Sequence, residues 1–171
     1  MKLFKVFYTF IIILYSLSLI GQDSVLYDPF EFNMSEAEVL DLFKKNRKRF
    51  KSIFLGSGTI FSLRKSSLNF EAEKLYSITI WSKKNLDLIE AEAYLKNTRK
   101  HLESKGFIMV YAQEYWDKPL QRDKNKPCIR FVNKEKNILL DFESRGQGNI
   151  YNVFLSYYNL TWFSDRVKLS R

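Results

Sequence analysis

Residues 87–107, DLIEAEAYLKNTRKHLESKGF, decide the fold because they hold a helix together with its start and stop signals. Asp87 and Glu90 have the spacing of a capping box, in which each side chain accepts a hydrogen bond from the other residue's backbone amide. Apolar side chains and one threonine then recur at alternating intervals of three and four, which places them on one helical stripe. They are Leu88, Ala91, Leu95, Thr98 and Leu102. Gly106 can adopt the left-handed conformation of a C-cap, which brings Phe107 near the last of them. The pattern predicts a helix from Leu88 to Lys105 with one face against a core.

A similar signal upstream predicts another helix over residues 36–50. Ser35 and Glu38 repeat the capping-box spacing, and Met34 and Val39 have the spacing of a hydrophobic staple around the same cap. Apolar residues continue at helical spacing as far as Phe50. The chain therefore has two principal helices.

Six stretches rich in β-branched and aromatic residues favour strands. They are Ile60–Arg64, Phe70–Trp81, Phe107–Trp116, Cys128–Val132, Ile138–Phe142 and Ile150–Tyr158. A polar turn at residues 65–67 is expected to separate the first two. Short turns join most successive strands, and such turns cannot make the crossover that a parallel pair needs. The sequence thus predicts an α+β fold, with a mainly antiparallel sheet of about five to seven strands and two principal helices packed on one face.

This α+β domain is predicted to span residues 35–160, with shorter segments on either side. Residues 22–34 are expected to form an extended lead-in, in which alternating Phe30 and Phe32 pack on the domain. Residues 161–171 are expected to form a basic C-terminal tail. The whole is short enough to be one domain and long enough to bury a core.

Residues 1–21 have the pattern of a secretory signal peptide. Lys2 and Lys5 precede an uncharged, mostly apolar run from Val6 to Ile20, which is shorter than the roughly 20 residues that a membrane span needs. Gly21 is the small residue at the expected cleavage point. We expect an exported protein, periplasmic or secreted, with no transmembrane segment after cleavage. An uncleaved N-terminal anchor is the alternative.

The charge balance favours anionic partners. The chain has 28 basic and 19 acidic residues, a formal net charge of +9, and the balance stays strongly positive without the two signal lysines. Outside the cytoplasm, such a charge suits an acidic envelope protein, an anionic lipid or an acidic glycan, and we expect no nucleic acid partner. Solubility alone is the other interpretation of the same charge.

The sequence contains few of the residue types that enzyme sites require. It has a single cysteine, Cys128, and a single histidine, His101, so it can form no internal disulfide and no ordinary His/Cys zinc site. The common nucleotide, hydrolase and metalloprotease motifs are absent from the sequence. We therefore expect a protein that is not an enzyme and that needs no cofactor or metal.

One carboxylate pair keeps an enzymatic alternative open. Asp141 and Glu143 are two residues apart on a predicted strand, so both side chains point to one face. Such a pair could act as acid and base in a hydrolase that cleaves an envelope or extracellular glycan. A solvent-facing strand edge, with Leu140 and Phe142 turned inward, is the simpler interpretation.

Two groups of residues are candidates for a binding site. Six basic residues lie close together at the end of the first helix: Lys44, Lys45, Arg47, Lys48, Arg49 and Lys51. Near an anionic membrane each would contribute about 1 kcal/mol, although a solvated helix face would have the same pattern. The second group is aromatic, and Tyr111, Tyr115 and Trp116 suit a contact surface wherever they are exposed.

A resemblance to known families rests on residues 32–39, Phe-Asn-Met-Ser-Glu-Ala-Glu-Val. This stretch resembles the opening of small envelope proteins, among them the small lipoprotein of the outer-membrane β-barrel assembly machinery and domains similar to the β-lactamase inhibitor protein. The Gly21-Gln22 junction resembles signal peptides of Bacteroidota-type bacteria. The resemblance implies helices on a short antiparallel sheet and a role in binding proteins. The sequence therefore favours a non-enzymatic binding or protein-interaction domain of the bacterial cell envelope.

Overall fold

A computed structural model describes residues 24–124 and 126–169, so the predicted signal peptide lies outside the described residues. This part of the chain contains nine strands and four helices. The strands are β1 Val25–Tyr27, β2 Phe30–Glu31, β3 Ile53–Phe54, β4 Ile60–Glu71, β5 Lys74–Ser82, β6 Ile108–Ala112, β7 Ile129–Val132, β8 Ile138–Gln147 and β9 Ile150–Asn159. The helices are α1 Glu36–Lys45, α2 Arg47–Phe50, α3 Leu88–Ser104 and α4 Leu160–Leu169.

The main sheet has seven strands in the order β3-β4-β5-β9-β8-β7-β6, and every neighbouring pair is antiparallel. The prediction of an α+β fold with an antiparallel sheet is confirmed. Helix α3 carries the chain from β5, near the middle of the sheet, to β6 at its far edge, and β9 then returns to pair with β5. Strands β1 and β2 form a separate two-stranded sheet.

Helix α3 forms as its local signals predict. Asp87 and Glu90 make both bonds of the capping box, and Gly106 has a φ of +85°. The Phe107 amide donates to the Leu102 carbonyl at 3.0 Å, which closes the helix end. Since these contacts involve residues adjacent in the chain, the sequence alone suffices to predict this element.

The other predicted helix is divided at Asn46. Its capping box at Ser35 forms, but α1 ends at Lys45 and the short α2 follows. The Asn46 side-chain amide and the Asn46 backbone N–H both donate to the Leu42 carbonyl, at 2.9 and 3.0 Å. A single helix over 36–50 was thus an overestimate, because the backbone of Asn46, with φ −99° and ψ 11°, departs from helical geometry.

The predicted turn at residues 65–67 is wrong. Strand β4 continues through it, and pairing with β5 passes from Leu63 opposite Ile80 directly to Leu68 opposite Ile78. Residues 64–67 therefore bulge out of the ladder without reversing the chain. The reversal lies at Ala72 and Glu73, whose φ values of 47° and 60° suit a tight hairpin, so the strand predicted over 70–81 is split there.

Two further segments differ from their predictions. Strand β6 ends at Ala112, not Trp116. The side-chain amide of the next residue, Gln113, donates to three carbonyls of the loop that precedes β7 and holds the chain against that loop. The segment expected to be a basic tail forms α4 over Leu160–Leu169. It is anchored where Trp162 stacks on Tyr76, with ring centroids 4.6 Å apart.

Alternate side chains of β9 separate the two faces of the sheet. Its odd-numbered residues 151, 153, 155 and 157 are buried in the core, which also contains Val39, Phe50 and Leu95 from the helices. Its even-numbered residues 154, 156 and 158 line an open groove. Leu26 and Phe30 of the predicted lead-in are almost fully buried in the same core.

Candidate functional site

The six predicted basic residues of α1, α2 and Lys51 are all exposed. Two of them are paired, since Lys45 lies 2.6 Å from Asp41 and Arg49 lies 2.7 Å from Asp28. Among the described residues, the other four form no ion pair; they are Lys44, Arg47, Lys48 and Lys51. The cluster is therefore not uniform, and its unpaired members are the stronger candidates for binding.

Three of the unpaired residues face a groove between α1 and β4, which we call the basic groove. Its volume is about 830 Å³. Six cations line it, Lys44, Arg47, Lys51, Arg64, Lys65 and Lys83, and no described carboxylate does so. Like charges gathered in this way repel one another, and a bound anion would relieve that repulsion.

The cations on the strand side are held by contacts that leave their charge uncompensated. The Arg64 guanidinium lies 4.5 Å from the centroid of the Trp81 ring. The Lys83 ammonium donates to the Ser52 hydroxyl at 2.6 Å. A ring face and a hydroxyl orient these side chains without neutralising them.

The floor of the basic groove is apolar. Leu40 and Phe43 of α1 are half-buried there, and Leu63 of β4 is buried beside them. Phe43 also stacks on Phe50, with ring centroids 5.6 Å apart, so its position is fixed by the core. The groove thus offers apolar surface bordered by positive charge.

Sequence reasoning identified three of the six cations that line this groove. Lys44, Arg47 and Lys51 are close in the chain and were predicted as a cluster. Arg64, Lys65 and Lys83 were missed, because they join the cluster only through the pairing of β4 with β5 and the position of α1. No local pattern marks them.

The aromatic candidates lie elsewhere. Tyr111 is half-buried on the edge strand β6, Tyr115 is 46% exposed, and Trp116 packs against the core with the Arg99 guanidinium 4.9 Å from its ring. Strands β4 and β6 lie towards opposite edges of the sheet. The two predicted groups therefore do not form one site.

A second groove, which we call the sheet-face groove, lies over the even-numbered residues of β9. Its volume is about 570 Å³. Both Asp141 and Glu143 line it, and Leu140 and Phe142 between and before them are fully buried. Strand β8 is an interior strand between β9 and β7, so these carboxylates are not at a strand edge.

Each carboxylate of the pair is held by an arginine. Arg130 donates to the two Asp141 carboxylate oxygens at 2.7 and 3.3 Å, and Arg145 donates to Glu143 at 2.5 Å. Burial raises the pKa of Asp141 despite the bonds from Arg130. An acid with a raised pKa suits proton donation, but the bidentate pair leaves this group little freedom to act.

Cys128 has the properties of a structural residue. Its side chain is fully buried, and burial raises the pKa of the thiol, whereas a nucleophilic cysteine needs a lowered one. His101 lies on α3 and packs closely against Gly56, since a Cβ added at Gly56 would lie 3.1 Å from the His101 Cβ. Among residues 24–124 and 126–169, no group of three or more His, Cys, Asp or Glu could hold a metal ion.

Comparisons with known proteins do not assign the chain to a family. No family model matches it, and no significant match was found among curated proteins or solved structures. None of the helices in the described part of the chain has the length and apolarity needed to cross a bilayer.

Proposed function

We propose that this protein is a non-enzymatic binding domain of the bacterial cell envelope and that the basic groove is its binding site. One observation carries the proposal: six cations surround an apolar floor that no described carboxylate lines. A solvated helix face explains outward lysines on α1, but it does not explain why three further cations from β4 and from the end of β5 converge on them.

The chemistry of the groove favours an anionic lipid at a membrane surface. The rim suits phosphate groups, since clustered lysines and arginines near such a surface contribute about 1 kcal/mol each. The floor of Leu40, Phe43 and Leu63 suits the adjoining acyl chain. An acidic glycan would use the rim only, and an acidic protein segment is the competing partner.

We also infer that the two principal helices pack on one face of the sheet. Val39 of α1 and Leu95 of α3 belong to one buried cluster with the odd-numbered residues of β9. This arrangement would place the sheet-face groove on the opposite side. Chemical shift changes after separate Val39→Ala and Leu95→Ala substitutions would test it, because both should perturb Leu155 and neither should perturb Ser156.

Export remains a prediction from residues 1–21. Export would bring the basic groove to the lipid surfaces that lie outside the cytoplasm, which is compatible with a binding site for an envelope lipid. N-terminal sequencing of the protein recovered from the periplasm or medium tests it. A chain that still begins at Met1 would contradict cleavage.

The binding proposal is tested with vesicles of phosphatidylglycerol against vesicles of phosphatidylcholine. We expect salt-sensitive binding to the anionic vesicles alone. The double variant Lys44→Glu/Arg47→Glu should bind at least about tenfold more weakly, given about 1 kcal/mol for each charge removed. The control Lys100→Glu/Lys134→Glu makes the same charge change with exposed lysines outside the groove and should bind almost normally.

Two results would count against the proposal. Equal losses in the two double variants would show that net charge, not the groove, attracts the membrane. Tighter binding to a poly-glutamate peptide than to anionic vesicles, lost in the groove variant, would make an acidic protein the partner.

The hydrolase alternative keeps one favourable observation, since Asp141 and Glu143 line one groove and burial raises the pKa of Asp141. Both carboxylates are engaged by arginines, which favours a binding role for the groove. Incubation with envelope glycans tests the alternative, and product formation that Glu143→Gln abolishes would establish it.

A further inference from the structure

The polar side chains of the sheet-face groove form rows across the sheet. Strand pairing places Thr79, Ser156, Asp141 and Arg130 directly opposite one another on β5, β9, β8 and β7. Adjacent strands are about 4.8 Å apart, so this row is about 14 Å long. A second row next to it contains Trp81, Phe154 and Glu143. The floor of the groove is therefore a regular array of side chains, about as long as a short oligomeric ligand.

Contacts within the rows hold the side chains in place. The Thr79 and Ser156 hydroxyls are 2.8 Å apart, and the Asp141–Arg130 pair has side chains only 17% and 33% exposed. In the second row, the Trp81 and Phe154 rings meet edge to face at 5.0 Å, and Arg145 lies 5.1 Å from the Phe154 ring. Such an array would lose little side-chain entropy when a ligand binds.

Two buried donors in this groove have no acceptor. The Ser67 hydroxyl and the Trp81 indole N–H make no hydrogen bond to any described residue. Both residues line the groove, and Ser67 is only 3% exposed. A buried donor without a partner costs about 1–3 kcal/mol, so a ligand acceptor that reached either group would recover part of that free energy.

The charge of the groove favours an anion. Its lining contains the cations Lys124, Lys126, Arg130 and Arg145 and two carboxylates. Three of the cations are paired, with Asp141, Glu143 and Asp123. Among the described residues, Lys124 alone of the four forms no ion pair, and it stands exposed at the wall formed by the loop before β7.

We propose that the sheet-face groove is a second binding site, which meets the basic groove where Arg64 covers the Trp81 ring, and that it binds an acidic oligosaccharide. Sugar hydroxyls can donate to Asp141 and Glu143 and accept from Ser67 and Arg145, while Lys124 binds the carboxylate of a uronic acid. An acidic peptide fits less well, because its main chain needs a free strand edge and this groove presents a sheet face. Both carboxylates stay paired with arginine, so the ligand is bound and not cleaved.

The test uses residues 22–171, the chain without its predicted signal peptide, with tetragalacturonate as the probe. Calorimetry measures the affinity, and the indole N–H signals in nitrogen-15 NMR spectra report on the site. We expect tetragalacturonate to bind and to shift the Trp81 indole signal, and neutral maltotetraose to leave it unchanged. Lys124→Glu should weaken binding about tenfold or more, which corresponds to one lost charge-assisted hydrogen bond. Lys134→Glu, an equally exposed loop lysine away from the groove, is the matched control and should have no effect.

Further variants separate the two grooves and the two roles of Ser67. Lys44→Glu/Arg47→Glu should leave tetragalacturonate binding intact, so this site stands even if the basic groove binds nothing. Ser67→Ala should weaken tetragalacturonate binding if the hydroxyl donates to the ligand. A higher free energy of unfolding with unchanged affinity for tetragalacturonate would show instead that the Ser67 hydroxyl is only an unpaired core group.

Several outcomes would overturn the proposal. One is the absence of binding, and another is binding that Lys124→Glu and Lys134→Glu reduce equally. Binding of tetraglutamate with the same Trp81 shift and affinity would reject a saccharide in favour of a general anion. Release of shorter saccharides from the probe would make the groove catalytic.

Discussion

The two grooves lie on either side of one bulge in β4, yet the cations of one are mostly unpaired and the arginines of the other are paired with carboxylates. Arg64 and Lys65 of the bulge line the basic groove, and Ser66 and Ser67 line the sheet-face groove. In the basic groove, positive charges gather and no carboxylate of the described residues lines it. In the sheet-face groove, Arg130 and Arg145 are each paired with a carboxylate.

This difference separates charges that stabilise the fold from charges that remain available for a partner. Arg130 is paired and half-buried, so its removal would leave the Asp141 carboxylate uncompensated. An exposed, unpaired arginine can be removed with little effect on folding, and its loss should be felt in binding alone. We therefore expect opposite consequences for similar substitutions on the two sides of the bulge.

The largest effect is expected from Gly146→Ala, at the end of β8 next to Arg145. A Cβ at Gly146 would lie 2.7 Å from the Tyr151 Cα and would also overlap the Ile150 carbonyl oxygen. The hairpin between β8 and β9 would have to shift, and we expect a loss of about 3 kcal/mol in the free energy of unfolding. Urea denaturation measures it.

Gly148→Ala in the same hairpin is the control for that experiment. Its Cβ would meet nothing within 4 Å, and only its φ of +59° disfavours alanine. A loss of about 1 kcal/mol is expected. Similar losses for both variants would show that the close packing at Gly146 is not what shapes this end of the sheet-face groove.

Removal of one arginine from each groove gives the direct comparison. Arg130→Ala leaves Asp141, which is 17% exposed, without its cation and should lower the free energy of unfolding by about 2 kcal/mol. Arg47→Ala should change it by less than about 0.5 kcal/mol. Thermal and urea unfolding of both variants at neutral pH would test this, and equal destabilisation would remove the proposed distinction between the grooves.

A pH titration of stability separates the grooves by a smaller effect. Since burial raises the pKa of Asp141 in the folded state, the folded protein holds this proton more tightly than the unfolded chain. The stabilisation from protonated Asp141 is fully present below the ordinary aspartate pKa of about 3.9 and is lost as the pH rises through the higher folded value.

Asp141→Asn should therefore remove a decline in stability that begins near pH 4 in the native protein, whereas Arg47→Gln should leave that decline in place. Unfolding free energies at closely spaced pH values measure the slope. A slope that survives Asp141→Asn would assign it to another carboxylate.

The smallest effect concerns the unpaired cations themselves. Arg47→Gln/Lys51→Gln should raise the free energy of unfolding by about 0.5 kcal/mol at low salt, because repulsion in the basic groove falls, and the gain should vanish at 1 M salt. Lys45→Gln/Arg49→Gln removes the same charge from residues paired with Asp41 and Asp28 and should give no gain. Equal gains in both variants would mean that only net charge matters.

The parts of the fold that were predicted correctly depend on neighbours in the chain. Both capping boxes and the glycine stop of α3 were identified because each joins residues within five positions of one another. The break at Asn46 and the bulge in β4 were missed. The bulge depends on pairing with β5, because the four residues 64–67 lie opposite the single residue Thr79. No short-range pattern encodes that register.

The candidate sites follow the same division. The basic residues of the first helices could be identified from their spacing, and so could the pair of Lys45 with Asp41 one turn before it. The pair of Arg49 with Asp28 could not, because these residues are far apart in the chain. The tail predicted after residue 160 forms a helix, which is anchored by the stacking of Trp162 on Tyr76 of β5. Asp141 and Glu143 were recognised as a same-face pair, and their arginine partners were not.

The sequence by itself determined the α+β class, the antiparallel sheet and the exposed basic helix end, since helix caps, strand patterning and turns are local properties of the chain. Only the tertiary structure decided that cations from α1, α2, β4 and the end of β5 share one groove and that a polar array crosses four strands. The physical reason is that charge acts through space. Lys45 is paired with Asp41 one helical turn away, but the pairing of Arg49 depends on Asp28, which only the folded chain brings within a few ångströms of it.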